Sequence, residues 1–314
     1  MKRFIMLIGS NGGLTGVYLA KNLREMECLT IYGADCSEVA VGKFFVDKQF
    51  ILPNADCPEF IESLADLLQK ERIDIYLPTN SKEIKAIARN EHILRQKTVS
   101  RFIVSPIETF EALDDKEKAN RIMRQNGLPV PEMIDGLTDA YPIIMKRKIG
   151  SGGNGTILIE NEKIHRAYLE SKENVAFFRI VKGIEYTADC LFDEEGNLIG
   201  YNQRQRLKMI GGAVSVTRND SEFQIEPWLK IMADNWLFRG CVNFQYIVDQ
   251  GIPYFIDINL RYPSGGLPLT VKSGFDIPKY VVKMLSGEKV SPYVKRSGKE
   301  RLTMYRYFEE IFEE

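Results

Sequence analysis

Residues 141–159 read Tyr-Pro-Ile-Ile-Met-Lys-Arg-Lys-Ile-Gly-Ser-Gly-Gly-Asn-Gly-Thr-Ile-Leu-Ile and gather groups suited to holding an anion. A short apolar strand delivers Lys146, Arg147 and Lys148, a loop with Gly150, Gly152, Gly153 and Gly155 follows, and Thr156 to Ile159 forms a second strand. Glycine admits positive φ, and without a Cβ its N–H can approach a ligand closely. Strand, basic residues, glycine loop and strand is one way to cover a polyphosphate. It differs from the strand–GxxxxGK[ST]–helix loop, because the residues after the glycines are apolar and β-branched. A hairpin with a pliant turn and an incidental basic flank accounts for the same residues, and on this stretch alone the two readings weigh equally.

Other candidate groups are weaker. Gly9-Ser10-Asn11-Gly12-Gly13-Leu14-Thr15-Gly16 follows an apolar strand and opens a helix, where backbone N–H groups could cradle an anion. The spacing does not complete G-x-G-x-x-G, so Asp35, placed roughly where a ribose-binding acid would stand, has little support, and a tight turn opening a doubly wound sheet is the better reading. Glu83 follows a strand's carboxyl end but sits in the first turn of a helix, where capping is its ordinary use. The five cysteines, Cys28, Cys36, Cys57, Cys190 and Cys241, are odd in number and lack paired metal spacing, and so read as reduced thiols of a cytoplasmic protein. With two histidines, His92 and His165, in polar segments, His-based zinc sites and Ser-His-Asp chemistry are disfavoured. Whatever chemistry the chain performs rests on glycines, lysines, arginines and carboxylates.

The elements that must position these groups follow from periodicity. At 314 residues, 44% hydrophobic and 27% charged, the chain suits two or three subdomains of a soluble globular protein. A net charge of −1 supplies no field for nucleic acid or anionic membrane, and no apolar run nears the roughly 18 residues of a membrane span. The basic, apolar start is too short for a signal peptide and reads as a first strand. Strands at 2–8, 28–33, 44–52, 73–78 and 102–104 alternate with helices at 17–26, at 59–71 and from about 82, predicting an α/β unit built on an open parallel sheet. Ser105-Pro106 closes that unit, giving domains 1–106 and 107–314. Beyond it we read helices at 107–113 and 114–125, the latter ended by Gly127-Leu128-Pro129-Val130-Pro131. A helix at 161–171, strands at 175–181, 186–192 and 198–204, a helix carrying Trp228 and Trp236, strands at 241–248 and 252–258, and a helix at 278–285 complete the reading. Arg204, Arg206 and Lys208 weigh equally as a solvated strand face and as an anion-binding strip. Tyr305, Tyr307 and Phe308 read as a surface strand or an oligomer contact.

Four features fall in one order: Asp115-Lys116 ahead of the helix ending in Gly-Leu-Pro-Val-Pro, Lys146 with the glycine loop, Gly183-Ile184-Glu185, and Asn243-x-Gln245 followed by Asp257-x-Asn259-x-Arg261. Each motif alone is weak, and the ordered set is specific. It resembles the ATP-grasp superfamily, nearest the ATP-binding half of the carbamoyl-phosphate synthetase large chain and its stand-alone ligase relatives, over about residues 112–285. The resemblance implies a Rossmann-like pre-ATP-grasp domain followed by a two-lobed α+β ATP-grasp domain, with a small lobe at about 112–180 and a C-terminal lobe at about 181–314. It implies that Lys116 and Lys146 hold the ATP phosphates, that Ser151, Gly152 and Gly153 belong to a flap over them, that Ile180 and Val181 line the adenine, and that Glu185 meets the ribose. Gln245, Asp257 and Asn259 would hold Mg2+, with Mn2+ as an alternative, and Arg261 would meet the γ-phosphate or an acyl phosphate, with Lys146 and Asn259 beside it in catalysis. Asp257 and Asn259, two apart on one strand, share a face; standing alone they would read as solvent-facing positions of an edge strand. Two positions depart from the family: Phe178 where an acid is common, and Asp257 where relatives usually carry Glu. The implied activity is that of a carboxylate–amine ligase acting through an acyl phosphate, with small-molecule substrates and a homodimer as the expected assembly. A small-molecule kinase and a non-catalytic nucleotide-binding module are the alternatives. Carbamoyl-phosphate synthesis itself uses two such units, and this chain has room for one.

Overall fold

The computed structural model describes residues 3–150, 156–171, 173–211, 213–294 and 301–313. Three sheets account for the strands among them. The first is built from β1 (Phe4–Gly9), α1 (Leu14–Leu23), β2 (Leu29–Asp35), β3 (Lys48–Ile51), α2 (Phe60–Lys70), β4 (Ile75–Leu77), α3 (Ser81–Arg89) and α4 (Glu91–Lys97). Its strands run parallel in the order β3-β2-β1-β4, the open parallel sheet the sequence predicts. Met6, Leu7 and Ile8 are all fully buried, so successive side chains on both faces of β1 are covered, as a parallel sheet with helices on each side requires.

The strand expected at 102–104 does not form. Tyr76 N–H donates to the Arg101 carbonyl (2.9 Å) and Arg101 N–H to the Asp74 carbonyl (2.8 Å), leaving one isolated parallel bridge between Ile75 and Arg101. The next donor in register on this side would come from residue 78, which is proline and has no N–H. Phe102 and Val104 are still buried, so apolar packing persists where the ladder stops.

Turn chemistry fixes the loops at the carboxyl ends of this sheet. Asp35 accepts from the N–H groups of Gly12 (2.9 Å) and Ser37 (3.1 Å), so its carboxylate ties two loops together. Asn80 caps α3 by accepting from Lys82 N–H (2.9 Å), and Glu83 closes the capping box from inside the helix. The Glu83 carboxyl is 2% exposed and accepts from Thr79 N–H (3.1 Å), Asn80 N–H (3.3 Å) and the Tyr76 hydroxyl. Removing an acceptor from buried donors costs roughly 1–3 kcal/mol for each donor orphaned, so Glu83→Ala is expected to lose about 3 kcal/mol in thermal or urea unfolding. Burial raises the Glu83 carboxyl above its ordinary range. A folded-state pKa above the unfolded one contributes stability that is complete at acidic pH and declines as pH rises through the folded pKa. The deficit of Glu83→Ala should therefore shrink from acid to neutral pH.

The second sheet is antiparallel, in the order β5-β8-β6-β7. It follows α5 (Ile107–Leu113) and α6 (Lys116–Gln125) and comprises β5 (Met133–Ile134), β6 (Ile143–Arg147), β7 (Thr156–Ile159), α7 (Glu162–Glu170) and β8 (Val175–Arg179). Lys146 pairs with Thr156, so the basic residues and the strand after the glycines are the two arms of one hairpin.

The third sheet has the order β13-β12-β9-β10-β11-β14. Its elements are β9 (Ile184–Phe192), β10 (Leu198–Ile210), β11 (Ala213–Asn219), α8 (Glu226–Asn235), β12 (Gly240–Asp249), β13 (Ile252–Asn259), α9 (Leu267–Lys272), α10 (Ile277–Ser286) and β14 (Thr303–Tyr305). Strand β10 runs six residues past the expected Arg204, and β11 was not anticipated. Trp236 lies just past α8 as its C-terminal capping residue, so Trp228 and Trp236 do not share a helix face. Tyr186 and Tyr246 stack (5.6 Å between centroids), and Phe255 packs on Tyr246 at the same spacing, so aromatic packing runs across β9, β12 and β13. Among the described residues no helix is long and apolar enough to cross a membrane.

Candidate active site

A cavity of 430 Å3 lies between the second and third sheets, with α6 along one side. Nine of the sequence-predicted residues line it: Lys116, Lys146, Ile180, Val181, Glu185, Gln245, Asp257, Asn259 and Arg261. Ser151, Gly152 and Gly153 lie outside the described residues.

The basic groups are placed by distinct devices. Asp115 caps α6 through the N–H groups of Glu117 and Lys118 (2.9 Å each), which sets Lys116 as the first helical residue. Lys116 N–H donates to the Lys148 carbonyl (2.8 Å), its Nζ donates to the Gly150 carbonyl (2.7 Å), and the Lys148 ammonium meets Glu117 (2.5 Å). The helix start and the hairpin are thereby stitched together. Lys146 points inward from β6 and donates from Nζ to the Ile256 carbonyl (3.2 Å). Burial draws its pKa down; Asp257 and Glu185 pull it up, while Lys116 and Arg206 add to the fall.

Facing them are β12 and β13. Gln245 pairs directly with Asp257 and Asn243 with Asn259, so oxygen-bearing groups stand on adjacent strands at the cavity. Asn259 Nδ2 donates to Asp257 Oδ2 (3.0 Å), and Lys116 Nζ lies 3.7 Å from Asp257 Oδ1. Arg261 commits its guanidinium three ways: Nε to Ser81 Oγ (2.9 Å), Nη1 to the Tyr262 carbonyl (3.0 Å) and Nη2 to Asn259 Oδ1 (3.1 Å). The bond to Ser81 joins the cavity to the first residue of α3 in the parallel-sheet unit.

The Arg204–Arg206–Lys208 strip divides. Arg204 and Arg206 both line the cavity, Arg204 buried and paired with Asp189 and Arg206 with Nε 3.2 Å from Glu185 Oε1, while Lys208 is exposed. A register shift between Arg206 and Lys208 takes the third residue out of the face of the other two. Spacing by twos was the only sequence signal for Arg206, and it could not reveal Glu185 opposite. Part of the cavity is apolar, with Leu113, Met123, Ile144 and Phe178 among its walls. Phe178 therefore continues an apolar surface where an acid would have offered an acceptor.

One part is thus apolar, and another concentrates Lys116, Lys146, Arg206 and Arg261 around Asp257 and Glu185. Such a site suits a ligand with an aromatic body and an anionic tail. Gln245, Asp257 and Asn259 are hard oxygen donors with one carboxylate between them, and no group of three His, Cys, Asp or Glu able to hold a metal occurs among the described residues. That set fits a Mg2+-like ion whose remaining ligands are ligand oxygens and water, and does not form an all-protein cage.

Residues 171–306 match the family model described as ATP-grasp in the biosynthetic pathway with Ter operon, and residues 6–102 match the PylC-like N-terminal domain. The matches thus identify an ATP-grasp region in the C-terminal part of the chain, preceded by a PylC-like N-terminal domain. The carbamoyl phosphate synthase large chain of Thermoplasma acidophilum is 24% identical over 267 residues, 73% of this chain and 25% of that one, so the chain spans about a quarter of that relative. The crystal structure of the biotin carboxylase domain dimer of Hydrogenobacter thermophilus 2-oxoglutarate carboxylase, complexed with MgADP, ADP and bicarbonate, has TM-score 0.71 at 18% identity, covering 92% of this chain and 71% of that one. That of an L-amino acid ligase from Bacillus licheniformis has TM-score 0.69 at 17% identity, covering 92% and 77%.

Proposed function

We propose that the protein is a Mg2+- and ATP-dependent ligase that joins a small-molecule carboxylate to an amine through an acyl phosphate, releasing ADP and phosphate. The observation that carries this reading is the convergence of Lys116, Lys146 and Arg261 on the Asp257/Asn259 edge opposite Gln245, in a cavity that is apolar in another part. In this reading the chain divides near residue 106. The adenine lies against Ile180, Val181 and Phe178, Glu185 faces the ribose, and the triphosphate runs toward Lys116 and Lys146. Gln245, Asp257 and Asn259 would hold Mg2+, which when bound neutralises phosphate charge.

The protein's own contribution is positioning and charge. A carboxylate oxygen attacks the γ-phosphorus in line, the bond to the β-bridging oxygen breaks, and ADP leaves with that electron pair. Lys146 and Arg261, fixed before reaction, stabilise the equatorial oxygens without reorganising. The amine nitrogen then attacks the acyl carbon, loses a proton, and phosphate departs carrying one former carboxylate oxygen.

That oxygen is the test. The likeness to an L-amino acid ligase fold makes single amino acids the first probes, each tried as carboxylate and as amine. With an 18O-labelled carboxylate, ADP release should require both substrates and one label should appear in inorganic phosphate. Unlabelled phosphate would remove the acyl phosphate. A phosphorylated product that accumulates without an amine would make the protein a kinase.

A further inference from the structure

The loop at 262–266 follows β13 and Arg261 and leads into α9, and its Pro263, Ser264 and Gly265 line the cavity next along the chain from Arg261. What holds this loop at its height is a buried polar assembly under it. Asp189 on β9 is 0% exposed and Arg204 on β10 is 5% exposed at their side chains, and they form a two-pronged pair, Nε to Oδ2 (2.9 Å) and Nη2 to Oδ1 (3.0 Å). Thr270 of α9 donates to the same Asp189 carboxylate (2.6 Å), and Asn202 Nδ2 donates to both Thr270 Oγ1 (3.1 Å) and Asn219 Oδ1 (3.0 Å). The pair is thus bonded upward to the helix that the loop enters and sideways along the strands beneath.

The loop itself rests on the cation. Gly266 lies so close to the Arg204 guanidinium that a Cβ there would overlap its Cζ and Nε, so glycine is required by close approach rather than by φ, which is −103°. A Cβ on Gly265 would stand 2.9 Å from Val214 N, and the Gly265 carbonyl accepts from Arg306 Nη2 (2.9 Å), a residue that follows β14. The two glycines are therefore pressed onto Arg204 and β11 and clamped by Arg306. The register places this seat in the row of the proposed metal ligands: Asp257 pairs with Gln245, Gln245 with Thr187, and Thr187 with Arg204.

We propose that Arg204, held by Asp189, is a positioning residue for the acceptor substrate: its guanidinium is the seat of Gly266 and sets the height of the 262–266 loop at the cavity. This rests on the ligase reading for its kinetic consequence and on geometry alone for the seat. A charge could be supplied by lysine, but a lysine cannot hold Asp189 with two prongs or present a flat face to a glycine.

The experiment compares wild type with Gly266→Ala, Arg204→Lys and the double variant in the full chain. Three readouts are taken: dissociation of a non-hydrolysable ATP analogue with Mg2+, acceptor-dependent kinetics with the amino acid pair that turns over, and hydrogen exchange of peptides spanning 262–272. A misplacement of an ångström can cost about 100-fold in rate. Gly266→Ala should lower kcat/KM for the acceptor by about that factor while analogue binding stays within about twofold, with faster exchange confined to 262–272. Arg204→Lys should show the same pattern despite keeping the charge. The double variant should recover part of the loss, because the slimmer lysine leaves room for the added methyl, a non-additivity that shared contact predicts. Exchange needs no acceptor, so it reads the seat separately from the ligase reading. Unchanged exchange at 262–272 in both single variants would overturn the proposal. So would equal loss of analogue binding, acceptor kinetics and melting temperature, which would make the pair a fold pin.

Discussion

Lys146→Met is expected to lower ATP turnover by about 100- to 1000-fold and at the same time to raise the melting temperature. The first half follows from position. Lys146 projects from β6 into the cavity beside Lys116, against the strand carrying Asp257, where a fixed cation would face the transferring phosphate. Losing one preorganised donor of this kind costs about 100- to 1000-fold in kcat. The second half follows from burial. The ammonium's pKa is drawn down by desolvation, and the opposing pull of Asp257 and Glu185 does not restore it. A lysine whose folded-state pKa lies below its unfolded value weakens the fold while it is charged, and that penalty begins to fall as pH passes the folded pKa and is gone above the unfolded one. Methionine fills similar volume without charge, losing one long hydrogen bond to the Ile256 carbonyl (3.2 Å). The variant's advantage should therefore be largest near neutral pH and shrink toward alkaline pH, read by thermal denaturation across pH beside ADP formation. A lower melting temperature at neutral pH would show that the ammonium is net stabilising in the free protein. Near-normal turnover would take Lys146 out of the mechanism.

The sequence exposed the parts of this site that depend on local periodicity. Asp257 and Asn259 alternate along β13, with Arg261 two residues past its end, and alternation alone puts the first two on one face. Asp115 ahead of a charged amphipathic run marks the start of α6 and hence the placement of Lys116. What it did not expose depends on partners far away in the chain. Arg261 is bonded to Ser81 across 180 residues, and no spacing rule connects them. Arg206 and Lys208 look equivalent at i and i+2, but a register shift set by β11 separates them. Strand β11 was missed, and with it the reason β10 extends to Ile210. The strand at 102–104 failed for the opposite reason: the apolar pattern is present, but Pro78 on the partner strand withholds the donor that would continue the ladder. Glu83 and Asp35 turned out to serve backbone N–H groups, which their positions beside turns already favoured over ligand binding.

Asp257 offers the most discriminating result, because its effect should change sign with the metal. It is the one carboxylate among the three proposed metal ligands, it accepts from Asn259 Nδ2 (3.0 Å), and it lies 3.7 Å from Lys116 Nζ. Asp257→Asn keeps the shape and removes the charge. With Mg2+ present, the variant loses the only anionic protein ligand, and kcat/KM for ATP should fall by about 100-fold or more. With chelator present and no divalent ion, the same carboxylate repels the nucleotide's phosphates and offsets the lysine that would hold them. The variant should then bind a non-hydrolysable ATP analogue more tightly than wild type. Asp257→Glu restores the charge on a longer arm, so it should retain most turnover and shift the Mg2+ concentration for half-maximal rate. Calorimetry with and without Mg2+ reads the sign directly. If Asp257→Asn weakens analogue binding equally in both conditions, the carboxylate does not hold a metal, and its role reduces to orienting Lys116 and Asn259.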